Sequence, residues 1–296
     1  PGRRAGTVGP CAGSREPTVG AADGAAAGGV GRATIMRLCT LNVHMWSDRG
    51  GRSNVDRVIE LLAGLRCDVI ALQEVYRERH QLLRAAETLG MHHALAASSW
   101  LGNALLSPHP LTAVEEVDIT DSMEEGRCAV VATVTTPTHA LDVASTHLDA
   151  WEEPTRVGEV AKLRAALARR DPAHVVMGDF NALRLADYPP GALADIAAAR
   201  ATHLREAPRG EVVAQLDAAG YVDLLRRAQV ADDDYLAGLT RPLPFALRST
   251  CWANTRIDYV WGAASLARRW RVAAASVVET SASDHAAVVV ELTPVV

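Results

Sequence analysis

The sequence predicts one α/β domain over residues 36–296, and three observations predict it. Residues 37–89 read strand, helix, strand, helix by their apolar spacing. Five strand candidates then crowd between residues 92 and 147 with short connections, which suggests antiparallel meanders and not a Rossmann alternation. A helix and an apolar strand follow, and three strands close the chain. Neither an interdomain linker nor an internal sequence repeat interrupts the stretch.

Residues 37–44 (RLCTLNVH) form the first predicted strand. Residues 54–65 form a helix that Ser53 or Asn54 can cap, with Val55, Val58, Ile59, Leu62 and Leu65 on one face. Residues 68–75 (DVIALQEV) read as a buried strand and residues 79–89 as a second helix. The strand candidates after it are residues 92–96, 103–107, 112–119, 128–135 and 141–147. A helix over 155–169 leads to a strand at 174–177 that runs into Gly178-Asp179-Phe180-Asn181. Residues 182–249, rich in Ala, Pro and Arg, carry weak helical periodicity at 191–205 and 211–219. Strands at 256–261, 271–278 and 286–292 finish the pattern. Residues 1–35 hold nine glycines and no aromatic residue. Such a segment buries too little to offset its ordering entropy, so a disordered tail is expected, upstream of a natural start at Met36.

Composition excludes several classes. Apolar runs as short as residues 129–132 cannot span a bilayer, and the first residues lack the apolar core of a secretory signal. The net charge is −5, and residues 36–296 carry −7, so bulk charge does not suit a protein that coats nucleic acid; a local basic groove remains compatible. Lys162 is the only lysine, which removes a Gly-x-x-x-x-Gly-Lys nucleotide loop and leaves Schiff-base chemistry a poor seat inside a charged helical pattern. No Gly-x-Ser-x-Gly elbow is present. The five cysteines are odd in number and form no Cys-x-x-Cys pair, against a zinc ribbon or a disulfide framework. Cys39 and Cys128 lie in strand-like runs as small core residues, and a reducing, cytoplasmic setting fits this usage.

Polar residues punctuate the apolar strands at their ends. Asn42 and His44 end the first strand, Gln73 and Glu74 the second, His147 another, and Asp179 with Asn181 another. Asn103 opens a strand, Asp258 lies between Ile257 and Tyr259, and Asp284 with His285 precedes the last strand. Strand ends project toward one rim of a sheet, where a rigid scaffold positions chemistry. Carboxylates, amides and histidines gathered there suit a hard divalent cation with oxygen ligands better than zinc, since no His-x-x-x-His or Cys pair accompanies them. Taken singly, Asn42 reads as a strand-end hydrogen bonder, whereas Glu74 after an apolar strand is harder to explain structurally. His92 and His93 read as structural, and the acidic residues between 118 and 125 and over 232–234 as solvated loops. Trp46, Trp100, Trp151 and Trp252 lie close in sequence to these positions; each alone reads as core, and together they could rim a cleft.

The segments TLNVHMW (40–46), DVIALQEV (68–75), GNALLS (102–107), STHLDA (145–150), GDFNAL (178–183), RIDYVW (256–261) and SDHAAVVVEL (283–292) occur in this order. As a series they resemble the motifs of the endonuclease/exonuclease/phosphatase superfamily, the deoxyribonuclease I-like enzymes, across residues 36–293. The resemblance implies a four-layer α/β/β/α sandwich, two packed mixed sheets flanked by helices, as a single catalytic domain over 36–296. It further implies that Glu74 is the chief metal ligand, supported by Asn42, with Asp284 a second metal or water contact. Asp179 would orient or deprotonate the attacking water, and Asn181 would bond a phosphate oxygen. His285 would bind phosphate or transfer a proton, with Asp258 fixing its tautomer. His147 matches a histidine that the deoxyribonuclease and sphingomyelinase branches keep near the leaving group, and Asn103 and Arg127 match phosphate- and site-supporting positions. His44 departs from the aspartate that the apurinic endonucleases keep there, and the sequence offers His147 no evident acidic partner.

The implied activity is a Mg2+-dependent phosphodiesterase, with Mn2+ as the alternative ion, acting by water attack and working as a monomer. A nuclease-type substrate is favoured from the breadth of the family, and a sphingomyelinase-like lipid or small-molecule phosphoesterase is the rival. A non-catalytic binding module is disfavoured because Glu74, Asp179, Asn181, Asp258 and His285 are all present.

Overall fold

Strand β2 (Met36–Asn42) shows how the architecture follows from a period of two. Met36 and Leu38 point into one hydrophobic core, while Cys39 and Leu41 point into another. A strand buried on both faces must lie between two layers. In the computed structural model, which describes residues 18–20, 35–48, 50–75, 79–97, 101–122, 126–171, 173–230 and 238–295, those layers are a second sheet on one side and helices on the other.

The first sheet also holds β1 (Thr18–Gly20), β3 (Val69–Gln73), β4 (His92–Ala96), β5 (Asn103–Ser107), β12 (Trp270–Val278) and β13 (Ala287–Pro294), in the order β1-β4-β5-β3-β2-β13-β12. The second holds β6 (Leu111–Asp118), β7 (Cys128–Thr135), β8 (Ala140–His147), β9 (His174–Asp179), β10 (Val222–Asp223) and β11 (Asp258–Gly262), in the order β10-β11-β9-β8-β7-β6. Each sheet has one parallel pair, β2 with β3 and β8 with β9; every other pairing is antiparallel. Helix α1 (Val55–Leu65) makes the first parallel crossover and α3 (Glu153–Leu167) the second.

The inner faces of both sheets share one core that includes Leu38, Val69, Leu105, Val143, Met177, Val260 and Val290. Helices α1 and α2 (Arg79–Leu89) cover the outside of the first sheet. Helices α3 and α5 (Glu211–Ala218) cover the outside of the second. This is the expected four-layer sandwich of two mixed sheets.

Element ends differ from the sequence reading for local reasons. The first two strands stop at Asn42 and Gln73 because His44 (φ 52°) and Glu74 (φ 61°) turn into the left-handed region, which cannot continue a ladder. Helices α3 and α4 (Pro190–Thr202) start early because proline sits in the first turn, where no N–H is needed. Asn54 precedes α1, but its amide donates to the carbonyls of Val43, Ser47 and Ala282 and makes no cap. Of the expected tail, Thr18–Gly20 pairs with β4, and residues 1–17 and 21–34 lie outside the described residues. Cys39, Cys67, Cys128 and Cys251 are buried and form no disulfide with one another. No described helix is long and apolar enough to cross a membrane.

Segment 182–249 is fastened by buried charge as well as by apolar contacts. Beside a small cluster of Leu183, Tyr188, Ile196, Cys251 and Ile257, Arg256 donates from Nε to Asp187 at 2.6 Å and from Nη2 to Asp223 at 2.7 Å. Arg226, on the short helix α6 (Leu224–Arg227), donates to the other oxygen of Asp187 at 2.7 Å. Arg184 holds Asp217 through two bonds of 2.7 and 2.8 Å.

Candidate active site

The same period of two that fills the inter-sheet core builds the site. Asn42 is in phase with Leu38, Gln73 with Val69 and Ala71, and Asn103 with Leu105. Likewise His147 is in phase with Val143, Asp179 with Val175 and Met177, and Asp258 with Val260. At one rim the apolar inner face therefore gives way to a polar one. Topology brings the ends together: parallel pairing sets Asn42 beside Gln73 and His147 beside Asp179. Antiparallel pairing sets the starts of β5 and β11 at the same rim, Asn103 opposite Gln73 and Asp258 opposite Asp179. Gln73 bridges the sheets, donating to Ser145 Oγ at 3.1 Å while its Oε1 accepts from Thr40 at 3.3 Å.

Asp179 is the hub. Its Oδ2 lies 3.2 Å from Asn42 Nδ2, 3.5 Å from His147 Nε2 and 3.8 Å from His285 Nε2. The first is a hydrogen bond, and the two histidine nitrogens stand beyond ordinary hydrogen-bond distance. Asn42 Nδ2 also donates to Glu74 Oε1 at 2.9 Å, so one amide stands between two carboxylates. His285 presents Nδ1 to both oxygens of Asp258, at 2.9 and 3.1 Å, which directs Nε2 toward Asp179. Asp179 supplies the acidic neighbour of His147 that chain proximity did not reveal, because strand pairing and not sequence makes them adjacent.

The backbone is specialised at these residues. At Gly178 (φ 149°) a Cβ would lie 1.9 Å from the Thr146 carbonyl oxygen, so glycine is what lets β9 approach β8 there and deliver Asp179 to the rim. Glu74 and Asn181 adopt φ of 61° and 49°, a conformation that costs of order 1–3 kcal/mol outside glycine. Asn181 is held by its N–H to Asp179 Oδ1 at 2.9 Å and its Nδ2 to Leu148 O at 3.1 Å.

Burial sets the electrostatics. It pushes the Asp179 carboxyl up to about 7, with the neighbouring Asp258 charge adding to the effect against His285. Burial lowers His147 well below the ordinary histidine range, and the charges of Arg127 and His285 lower it further. Burial opposes charging of His285 as well, but Asp258 and Cys251 outweigh it and hold the imidazole well above its usual range. The rim thus pairs a neutral imidazole with a charged one around a carboxylate near neutrality.

Other predicted positions lie at the margin. Asp284 is half-buried, with Oδ2 4.0 Å from His44 Nε2 and Oδ1 accepting from Ser283 Oγ. Asn103 donates to Cys128 O at 2.7 Å and ties the two sheets. Arg127 has Nη2 4.0 Å from Asp149 Oδ2. Trp46 is buried in the helix-side core and is no part of a rim, whereas Trp151 is half exposed, with the Arg205 guanidinium 3.9 Å from its ring centre. His203 meets Trp252 edge-on at 5.1 Å. Trp100 falls outside the described residues.

The sequence reading missed Cys251, whose Sγ is 3.2 Å from His285 Nε2. It also missed Thr250, whose Oγ1 accepts from the N–H groups of Ile257 and Asp258. Their position just before the Arg256-Ile257-Asp258 motif was the available signal. Among the described residues, two groups of three side chains could hold a metal ion: Asp179/Asp258/His285 and Cys251/Asp284/His285. An apolar cavity of about 270 Å3 near β10 and β12 contains none of the rim residues.

The Endonuclease/Exonuclease/phosphatase family model matches residues 39–285, from the first strand of this rim to His285. The chain belongs to that family. Family members are hydrolases of phosphoester bonds. No curated protein matches the chain in sequence. Among solved structures, the chain is similar to an endonuclease/exonuclease/phosphatase from Beutenbergia cavernae, with a TM-score of 0.65 and 23% identity over 88% of this chain and 72% of that one. The human Nocturnin catalytic domain with bound sulfate aligns with a TM-score of 0.63 and 17% identity, over 89% of this chain and 95% of that one. D. rerio TDP2 complexed with a single-strand DNA product aligns with a TM-score of 0.61 and 14% identity, over 88% and 99%. These likenesses establish the phosphoesterase fold of the family.

Proposed function

We propose that the chain is a divalent-metal-dependent phosphodiesterase, a single catalytic domain over residues 36–296 that hydrolyses its substrate by direct attack of water. The observation that carries this reading is the convergence of Asn42, His147 and His285 nitrogens on Asp179 Oδ2. A carboxylate near neutrality is suited to accept the proton of an attacking water. His285, kept charged against Asp258, binds a phosphate oxygen and stabilises the negative charge that grows in the transition state. Asn181, fixed by Asp179 and Leu148, donates to a second oxygen. Neutral His147 stands on the other side of Asp179 to serve the leaving group.

The donors present fit a hard cation. Glu74 and Asp179 converge on Asn42 Nδ2, the arrangement a cation would also satisfy, and Glu74 would hold it, with Asn42 and Asp284 as the further donors that the family resemblance implies. Mg2+, or Mn2+, supplies neutralisation of phosphate charge when bound.

A nucleic acid strand is the substrate class we favour. The half-exposed Trp151 under Arg205, together with Trp252 against His203, offers stacking faces suited to unpaired bases. D. rerio TDP2 complexed with single-strand DNA product shares the fold. A lipid or small-molecule phosphodiester is the second reading, supported by Leu204 and Phe245, which are 89% and 52% exposed on segment 182–249.

Hydrolysis of bis(p-nitrophenyl) phosphate, plasmid DNA, RNA and sphingomyelin, each with EDTA, Mg2+ or Mn2+, tests the proposal. We expect metal-dependent cleavage with DNA or RNA preferred, and a loss of about two orders of magnitude or more in Glu74→Ala. Preference for sphingomyelin selects the second reading, and cleavage unaffected by EDTA and by Glu74→Ala overturns the metal assignment.

A further inference from the structure

Beside the hard oxygen donors the rim carries a soft one. Cys251 lies in a short bridge to Thr255, its N–H bonded to the Thr255 carbonyl at 2.9 Å, so its backbone is fixed in place. Its Sγ is 3.2 Å from His285 Nε2, and Cys251 Sγ, His285 Nε2 and an Asp284 carboxylate oxygen all lie within 4.8 Å of one another. Ligands at about 2.0–2.3 Å around a tetrahedral ion are separated by roughly 3.3–3.8 Å, so this triangle closes on an ion with small side-chain adjustments.

We infer that Cys251, His285 and Asp284 form a second metal site, selective for Zn2+ over Mg2+, whose occupation withdraws His285 and Asp284 from phosphodiester chemistry. An independent feature points the same way. Asp258 binds His285 through Nδ1 and leaves Nε2 as the ligating nitrogen, the carboxylate–histidine arrangement that orients metal-bound imidazoles. A thiolate with an imidazole suits Zn2+, whereas Mg2+ requires oxygen donors. Half-buried Asp284 supplies the third ligand and leaves room for water as the fourth. Binding is balanced by proton release: the Cys251 thiol loses its proton to buffer as sulfur coordinates, and so does His285 where it is protonated. The inhibitory consequence rests on the proposed function; the site itself does not.

The test uses the full chain in excess Mg2+, as wild type, Cys251→Ser and Cys251→Ala, with circular dichroism to verify that each folds. Co2+ as a spectroscopic stand-in should give a thiolate-to-metal charge-transfer band in the wild type that neither variant shows. Calorimetric titration with Zn2+ should show proton release and an affinity at least about 100-fold above that of either variant. With the preferred phosphodiester, Zn2+ should inhibit the wild type, and Cys251→Ser, measured against its own Mg2+-supported rate, should lose that sensitivity. Unchanged Zn2+ affinity in both variants, or a cobalt band that survives them, overturns the site. Should none of the substrates be cleaved, the band and the affinity difference still decide the site, and the failure belongs to the proposed function alone.

Discussion

Asp179 and Asp223 are both buried aspartates, and burial works against the ionised form of each. At Asp223 the neighbouring charges of Arg256 and Arg184 more than offset burial, and the carboxyl stays below its usual range. At Asp179 the nearest charge includes a like one, Asp258, and the carboxyl rises to about 7. The same physics yields a clamp in one place and a reactive group in the other. In the clamp, guanidinium–carboxylate bonds run from 2.6 to 2.7 Å around Asp187 and Asp223. At the rim the histidine nitrogens stand 3.5 and 3.8 Å from Asp179, beyond the bonded distances of the clamp, so neither offsets its burial by a direct bond.

The comparison breaks most readily at Arg256. Truncation to alanine leaves Asp187 and Asp223 facing one another in the interior without their shared cation. Breaking a buried pair from one side costs about 3–5 kcal/mol. Urea denaturation of Arg256→Ala should therefore show a loss of that size. A loss below about 1 kcal/mol would mean that Arg226 and Arg184 suffice to compensate the two carboxylates.

Asp179→Asn should do the reverse. It removes a carboxylate that is already repelled by Asp258 and keeps the shape, so stability at neutral pH should hold or rise slightly while turnover falls about two orders of magnitude or more. Steady-state kinetics beside a denaturation curve checks both halves. If the variant unfolds as readily as Arg256→Ala, Asp179 is structural and the two clusters do not differ in kind.

The rim was legible in the sequence and the clamp was not, for a physical reason. Strand side chains alternate, so a polar residue at the end of an apolar run is conspicuous; Asn42, His147 and Asp179 stand out that way. Arg184, Arg226 and Arg256 lie tens of residues apart, Arg226 on a short helix and the other two in loops, where no period announces a partner, and the many other arginines mask them. The sandwich was implied by motif order, and of the two helical crossovers the first was visible as a periodic apolar face and the second as a charged helical pattern. Trp46 is core, as it reads when taken singly, and does not join the rim, because the left-handed backbone of His44, Met45 and Trp46 turns that indole under α1. Cys251 stands in no sequence pattern, and only its 3.2 Å approach to His285 Nε2 ties it to the rim.

Glu159 tests whether burial alone distinguishes the two behaviours. It is fully buried on α3, accepts the Asp149 N–H at 2.7 Å, and has Arg127 and Arg156 nearby. Burial nevertheless dominates, and the carboxyl is pushed up to about 8, so in this respect it resembles Asp179 and not Asp223. A carboxyl whose folded value exceeds its unfolded one binds more protons when folded. Its stabilising effect is then complete below about 4.5 and declines as pH rises toward 8. Wild-type stability should carry a falling component of roughly 1 kcal/mol per pH unit across that window. In Glu159→Gln, which preserves the acceptor for Asp149, that component should vanish, and the two curves should diverge most at the alkaline end. A variant curve parallel to the wild type would mean that Arg127 and Arg156 keep Glu159 ionised, and would move it to the clamp's side of the comparison.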